Sequence, residues 1–305
     1  MQGSEDTGRC QPPIVQDQAQ TPRRGDDRGN GLLSVVSLGP GGREYLTPAA
    51  LNALGRAEVI VGYKTYLDLI RDLIADKEVL SSGMRREIER CDAAIDRALA
   101  GSRVALVSSG DAGIYGMAGL VLDLCRERGV KAWTGRAAPS TEDEGLSVEI
   151  IPGVPAFNAA ASRVGAPLMH DFAAVSLSDH LTPWETIERR LVAVAEADFV
   201  IAIYNPRSKS RPDFLEQAQQ ILLRYRASET PVAIVHAAMR DDEWTRLVTL
   251  ATIPFEDVDM QSILIVGNRC TYAWDGWMVT PRGYLEKYGP SRLSVSPDYP
   301  ASPES

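Results

Sequence analysis

Residues 32–48 read LLSVVSLGPGGREYLTP, and the fold is decided there. Leu32 to Leu38 is an apolar, partly β-branched run that predicts a strand. It breaks at Gly39-Pro40-Gly41-Gly42. Thr47-Pro48 then marks a helix start, because Thr caps well and proline at the first helical position forfeits no needed hydrogen bond. Strand, glycine loop and helix form the unit of an open α/β sheet, whose ligands bind outside the carboxyl ends of the strands. The missing side chains let a ligand approach the backbone, and free N–H groups can face it. Neither a G-x-G-x-x-G nor a G-x-x-x-x-G-K pattern is present. Pro40 removes one donor and stiffens the turn, which suits a ligand without a pyrophosphate. Taken alone, the loop reads equally as a plain βα turn.

A second loop of this kind follows. Ser102–Ser109 contains VALVSS, a buried strand, and meets GDAGIYG at 110–116 before a helix over 117–128. Two glycine loops at the ends of two strands would face one crevice, which favours the ligand reading. Asp111 is the single carboxylate in the second loop. Between the loops, the pattern predicts a helix over 47–57 with Leu51 and Leu54 facing in, and a strand over 58–63. A helix is predicted through Leu67, Leu69, Ile70, Leu73 and Ile74. A longer amphipathic helix over 83–100 should bury Ile88, Cys91, Ile95, Ala98 and Leu99.

The chain has 305 residues, 44% hydrophobic and 24% charged, enough for two α/β domains. A net charge of −9 argues against nucleic-acid binding. No apolar run reaches spanning length and no signal-peptide core follows the first residues, so neither membrane insertion nor secretion is expected. Cys10, Cys91, Cys125 and Cys270 are far apart and read as reduced thiols of a cytoplasmic protein. Three histidines without ligand spacing give no expectation of a metal site. Residues 1–30 and 289–305 read as polar tails, leaving units over 31–152 and 153–288.

Residues 129–147 read as a surface excursion before a strand over 148–151. The third break, Pro152-Gly153-Val154-Pro155-Ala156, opens a helix of small residues through Ala161 and Val164. The second half predicts strands over 173–177, 198–204, 231–236, 246–251 and 262–266, partly antiparallel because only loops separate some of them. Helices are expected over 183–195, capped by Thr182, and over 212–225. The loop NPRSKSR places Arg207, Lys209 and Arg211 after a strand, where three cations suit an anionic ligand; a solvated loop is the plainer reading. His180 beside Asp179 could pair as acid and base, or simply precede a helix. No G-x-S-x-G elbow or triad context is present.

Together these segments resemble the tetrapyrrole (precorrin) methylases, most closely the precorrin-3B C(17)-methyltransferase branch of cobalamin synthesis. The carrying residues are SLGPGG at 37–42, SSGDAGIYGMAG at 108–119, IPGVPAFNAAA at 151–161 and GAPLMHDF at 165–172. To these add LSDHLTPWETIERR at 177–190, YNPRSKSR at 204–211, IVGN at 265–268 and MVTPRGY at 278–284. The glycine loops belong to the whole superfamily; the LTPW and YNPRSK segments are more specific to the carbon-17 enzymes. Ser37 stands where the family usually has Gly, and His236-Ala237 where Arg-Asn is more common. Residues 131–146 look like an insertion.

The resemblance implies a two-domain α/β fold with a mostly parallel N-terminal sheet, a mixed C-terminal sheet and a cleft between them. It implies S-adenosylmethionine as methyl donor, precorrin-3B as the tetrapyrrole substrate, methylated at carbon 17 with ring contraction to precorrin-4, and a homodimer. Cofactor contacts carry over onto Gly39, Pro40, Gly41, Gly110, Asp111, Ile114, Pro155, Ala156, Asn205 and Ala237. Asp179 and His170 are the candidates for acid–base work in ring contraction, and Arg207, Lys209 and Arg211 for holding substrate carboxylates. Rival readings are another methylase of the superfamily, acting on cobalt-factor III, precorrin-4, uroporphyrinogen III or the diphthine of a translation factor, a dinucleotide oxidoreductase, which lacks its fingerprint, and a cofactor-binding module without catalysis.

Overall fold

A computed structural model describes residues 31–83, 85–134 and 145–289. The first half is built on six parallel strands: β1 (Leu32–Ser37), β2 (Val59–Tyr63), β3 (Glu78–Ser82), β4 (Arg103–Ser108), β5 (Ala132–Thr134) and β6 (Leu146–Ile151). Their order is β3-β2-β4-β1-β6-β5. The central strands β1 and β4 alternate between two buried faces, as a sheet covered on both sides requires. Leu33, Val35, Val104 and Leu106 meet α3 (Glu87–Leu99) and α4 (Met117–Glu127). Val36, Ala105 and Val107 meet α1 (Pro48–Arg56) and the segment that follows β2. The α1 cap forms as predicted: Thr47 Oγ1 accepts from the Ala50 N–H at 3.1 Å, with proline at the first position. Leu54 is buried and Leu51 half-buried.

The second half has five strands: β8 (Phe172–Ser176), β9 (Val200–Tyr204), β10 (Pro231–His236), β11 (Trp244–Thr249) and β12 (Ser262–Val266). Their order is β11-β10-β12-β9-β8. β8 and β9 run parallel, and β12 runs antiparallel to both β9 and β10. The sheet is therefore mixed. α6 (Trp184–Glu196) and α7 (Phe214–Leu222) cover one face. α5 (Ala156–Val164) covers the other, where Ala159, Ala160 and Val164 lie on Ala233, Val235 and Ile265. The small residues let α5 sit close to the strands. A third sheet joins β7 (Gly165–Ala166) to the hairpin of β13 (Tyr272–Trp274) and β14 (Trp277–Val279), and α8 (Tyr284–Tyr288) follows it.

Several predicted elements are corrected. The helix expected through 67–74 is split between α2 (Lys64–Asp68) and a 3₁₀ turn at Arg71–Leu73. Its N–H groups bond three residues back, Ile70 to Leu67 and Leu73 to Ile70; the apolar repeat at 67, 70 and 73 fits three residues per turn better than 3.6. In α3, Ile88 and Leu99 are 59% and 44% exposed. The inward stripe is Cys91, Ala94, Ile95 and Ala98, with Arg90 turned in to bond Ser82 Oγ and the Gly83 carbonyl. Thr182 does not cap α6: Pro183 is the capping residue, and its carbonyl accepts from the Thr186 and Ile187 N–H groups. After α7 the Arg224 and Tyr225 N–H groups bond three residues back, to Ile221 and Leu222, while Arg226 also reaches the Leu222 carbonyl. β3, β5, β7, β13 and β14 were not anticipated; β5 lies inside the expected surface excursion. Both expected tails, apart from Gly289, and Cys10 lie outside the described residues.

Candidate active site

β1 and β4 are adjacent and parallel, so the loops after them meet. The Leu38 N–H donates to the Ser108 carbonyl at 2.8 Å, Gly39 to Gly110 at 3.0 Å, and Gly110 back to Gly39 at 2.7 Å. Gly39 and Gly110 both hold left-handed backbone, at φ 70° and 65°, which explains glycine at each. Buried Ser37 accepts the Ala112 N–H on its Oγ at 2.8 Å. The Asp111 carboxylate accepts from the Gly113 N–H at 2.8 Å and the Gly153 N–H at 3.0 Å. It thereby ties the loop after β4 to the loop after β6. The Ile114 N–H turns back to the Asp111 carbonyl. A Cβ at Gly153 would lie 2.6 Å from Ser37 Cβ and 2.8 Å from the Gly110 carbonyl oxygen. Gly110 in turn lies against Pro155 and Ala156, which open α5.

From the second half, β8, β9 and β10 point their carboxyl ends at the same region. Asn205 follows β9 at φ 50° and donates through Nδ2 to Ser176 Oγ at 2.8 Å. Ala237 follows β10 at φ 46° and is buried. The Tyr204 hydroxyl accepts the Phe157 N–H at 3.1 Å, and Tyr115 donates its hydroxyl to the Ala174 carbonyl at 3.1 Å. The two tyrosine rings lie 5.0 Å apart. Burial pushes the Tyr204 phenol up to about 12 and raises that of Tyr115, so near neutrality both are proton-bearing hydrogen-bond groups. Neither is singled out by the sequence pattern: Tyr204 closes the apolar run of β9 and Tyr115 sits inside the second glycine loop.

Arg240 bridges the halves. From the loop between β10 and β11, its Nε donates to the Pro40 carbonyl at 2.8 Å and its Nη2 to Ser109 Oγ at 3.3 Å. Behind it, Glu243 accepts the Met239 N–H at 2.6 Å and pairs with Arg163 of α5. Arg240 and Glu243 were also missed: nothing local in the sequence joins residue 240 to residue 40.

The predicted acid–base and anchoring residues separate. Asp179 lies in the loop after β8, on the side of the glycine loops, and Arg211 Nε approaches it at 3.5 Å. His170 lies before β8, at the opposite end of that strand. There its Nδ1 accepts the Asp171 N–H, and it lines a cavity of about 320 Å³ with Asp198, Cys270 and Arg282. The structure does not bring His170 to the other candidates. Arg207 donates to the Pro212 and Phe255 carbonyls, and Arg211, its side chain 10% exposed, donates to the Leu177 carbonyl. Of the three cations, Lys209 is the exposed one with no partner among the described residues. His180 is exposed in the loop beside Asp179. Among the described residues, no group of three or more His, Cys, Asp or Glu is placed to hold a metal ion. The region where the glycine loops meet the second half is thus built from backbone, small side chains, phenols and a few fixed charges, and the 320 Å³ cavity at His170 is separate from it.

Residues 32–254 match the family model of the Tetrapyrrole (Corrin/Porphyrin) Methylases. The chain belongs to this family. It is 52% identical over 253 residues to a probable cobalt-factor III C(17)-methyltransferase of Salmonella typhimurium, covering 83% of this chain and 99% of that protein. It is 40% identical over 238 residues to a precorrin-3B C(17)-methyltransferase of Sinorhizobium sp, covering 78% and 89%. The crystal structure of the methyltransferase CobJ superposes with a TM-score of 0.74 at 34% identity, over 83% of this chain and all of that one. These relatives bear out the α/β fold, with its all-parallel first sheet and mixed second sheet, and the methyltransferase class.

Proposed function

We propose that this tetrapyrrole methylase transfers a methyl group from S-adenosylmethionine to carbon 17 of a cobalamin-pathway macrocycle and contracts the ring. The observation that carries the reading is the 52% identity over 99% of a protein named as a probable cobalt-factor III C(17)-methyltransferase. The lower identity, 40%, to the precorrin-3B enzyme makes metal-free precorrin-3B the second reading, with precorrin-4 as its product. Cobalt, if present, arrives as part of the substrate.

The residues present fit a nucleoside-bearing methyl donor. Gly39, Pro40, Gly41, Gly110, Asp111, Ile114, Pro155, Ala156, Asn205 and Ala237 are proposed to surround it, mostly through backbone. Left-handed turns at Gly39, Gly110, Asn205 and Ala237 re-aim the N–H and carbonyl groups of these loops. The bound sulfonium supplies an already activated methyl, so the chain's own work is alignment and exclusion of water, an effect worth several kcal/mol. Ring contraction needs a hydroxyl proton removed and a lactone opened. Asp179, oriented by Arg211, is the proposed group. His170, before β8 and at the opposite end of that strand from Asp179, does not share that role. Lys209 is the proposed exposed anchor for substrate carboxylates. The chain is further proposed to act in the cytoplasm, as a homodimer.

Purified protein is incubated with methyl-labelled S-adenosylmethionine and, in parallel, cobalt-factor III and precorrin-3B, and read by mass and absorbance. A product one methyl heavier with an altered chromophore, larger in yield from the cobalt form, is expected. Transfer to precorrin-3B alone reverses the order of the two readings. Binding of S-adenosylhomocysteine without transfer to either removes the substrate, and no binding at all removes the cofactor. Light scattering at twice the chain mass is expected for the dimer.

A further inference from the structure

We infer that Arg240 is a positioning residue that sets the direction of the Gly41 N–H and locks the two glycine loops against the second half of the molecule. The inference rests on the cofactor reading above.

Pro40 stands between Gly39 and Gly41, and Ser109 directly precedes Gly110. One guanidinium therefore touches the loop after β1 at 2.8 Å and the loop after β4 at 3.3 Å. Its remaining arm reaches Gln261 Oε1, just ahead of β12, at 3.5 Å. A peptide group is planar, and in the trans form its C=O and N–H point opposite ways. Fixing the Pro40 carbonyl on Arg240 thus aims the Gly41 N–H away from Arg240. Gly41 is buried, and its N–H finds no partner among the described residues. A buried donor of this kind is one that a ligand acceptor is built to satisfy.

The approach at this point is close. A Cβ on Gly41 would lie 2.3 Å from the Met239 carbonyl oxygen and 3.0 Å from Arg240 Cγ. The Arg240 loop is itself held under strain. Ala237 and Met239 take φ of 46° and 64°, conformations that side chains with a Cβ adopt only when their surroundings impose them. The Met239 N–H is fixed on Glu243, which is held by Arg163. Arg240 is thereby presented from a braced loop. Lysine could reach one acceptor but lacks the planar fork that serves both loops at once.

The test uses the full chain and S-adenosylhomocysteine, with calorimetric affinity and ligand-free melting measured for wild type, R240A, R240K and G41A. R240A should bind about tenfold or more weakly, the loss expected when a charged hydrogen-bond donor is removed. Methylguanidinium at millimolar concentration should restore much of that affinity while leaving wild type unchanged. G41A should weaken binding similarly, and R240A with G41A together should lose less than the sum of the two. R240K keeps the charge and the stem, so it should stay folded and still bind more weakly than wild type. Wild-type affinity in R240A or in folded R240K overturns the inference, as does a loss that methylguanidinium cannot repair. If wild type itself binds no S-adenosylhomocysteine, the cofactor reading fails, a result distinct from the other two.

Discussion

At Asp111 one carboxylate does the work of two backbone clamps, accepting from Gly113 and Gly153. Replacing it by alanine should destabilise the protein by about 2 kcal/mol, because one bond crosses to a different loop and leaves its donor half-buried. Asp111→Asn keeps an acceptor oxygen and should fall between. Chemical denaturation checks the order; equal stability of all three proteins would sink it. Burial of Tyr204 and Cys91 carries a pH consequence. Burial raises the phenol from 10.0 to about 12 and the thiol from 9.0 to about 12. Both are neutral when protonated, and the unfolded chain releases these protons first. Their contribution is therefore complete below about pH 9 and is lost as pH climbs toward 12. Unfolding free energy should decline over that window, and Y204F should decline less steeply above pH 10. A flat profile to pH 12 would contradict the burial. What was legible at this scale is what the backbone demands. Gly39 and Gly110 are glycines because φ is positive there, and a sequence displays that need openly. Arg240 and Tyr204 were illegible because their partners lie far off in the chain, 200 residues away for Pro40 and 47 for Phe157.

Elements with a local cause were read well and elements with a distant one were not. The α1 start was legible because cap and proline act within four residues. The α6 start was misread from the same Thr-Pro pattern, since Pro183 turned out to be the cap and not the first helical residue. Thr47→Ala should thus cost about 1 kcal/mol and Thr182→Ala almost nothing, a contrast that denaturation of the two variants reads directly. Short strands escaped notice. β3 is EVLSS and mostly exposed, so only its pairing with β2 identifies it. The β13–β14 hairpin carries a local signal in its turn residues. Asp275-Gly276 sits between Trp274 and Trp277 with φ of 48° and 82°, the Asp-Gly pattern of a two-residue turn with both φ positive. Nothing lies within 4 Å of a Cβ built on Gly276. Gly276→Ala should therefore cost about 1 kcal/mol through φ alone, while Gly55→Ala, equally open but helical, should stabilise by a few tenths of that or more. Equal effects at the two glycines would mean that the turn is not what holds the hairpin.

At the scale of the whole molecule, charge opposes function. The chain carries −9, and the proposed substrate carries many carboxylates. Repulsion of this kind slows encounter and fades once ionic strength brings the Debye length near 10 Å, at about 0.1 M salt. The cations after β9 were expected to offset it. The structure leaves two of them committed to carbonyl groups, Arg207 on Pro212 and Phe255 and Arg211 on Leu177. These still contribute charge, but their hydrogen-bonding arms are largely spent, and Lys209 is the one free to meet a carboxylate. KM for the tetrapyrrole should therefore fall as salt rises from about 10 mM to 100 mM, the range in which screening takes hold, while affinity for S-adenosylhomocysteine moves little. Lys209→Glu should raise KM most at low salt and lose much of that effect at high salt; Lys209→Ala should lie between. If KM instead rises with salt in the wild type, local attraction outweighs the global charge, and the loop after β9 is a stronger anchor than its occupied arginines imply.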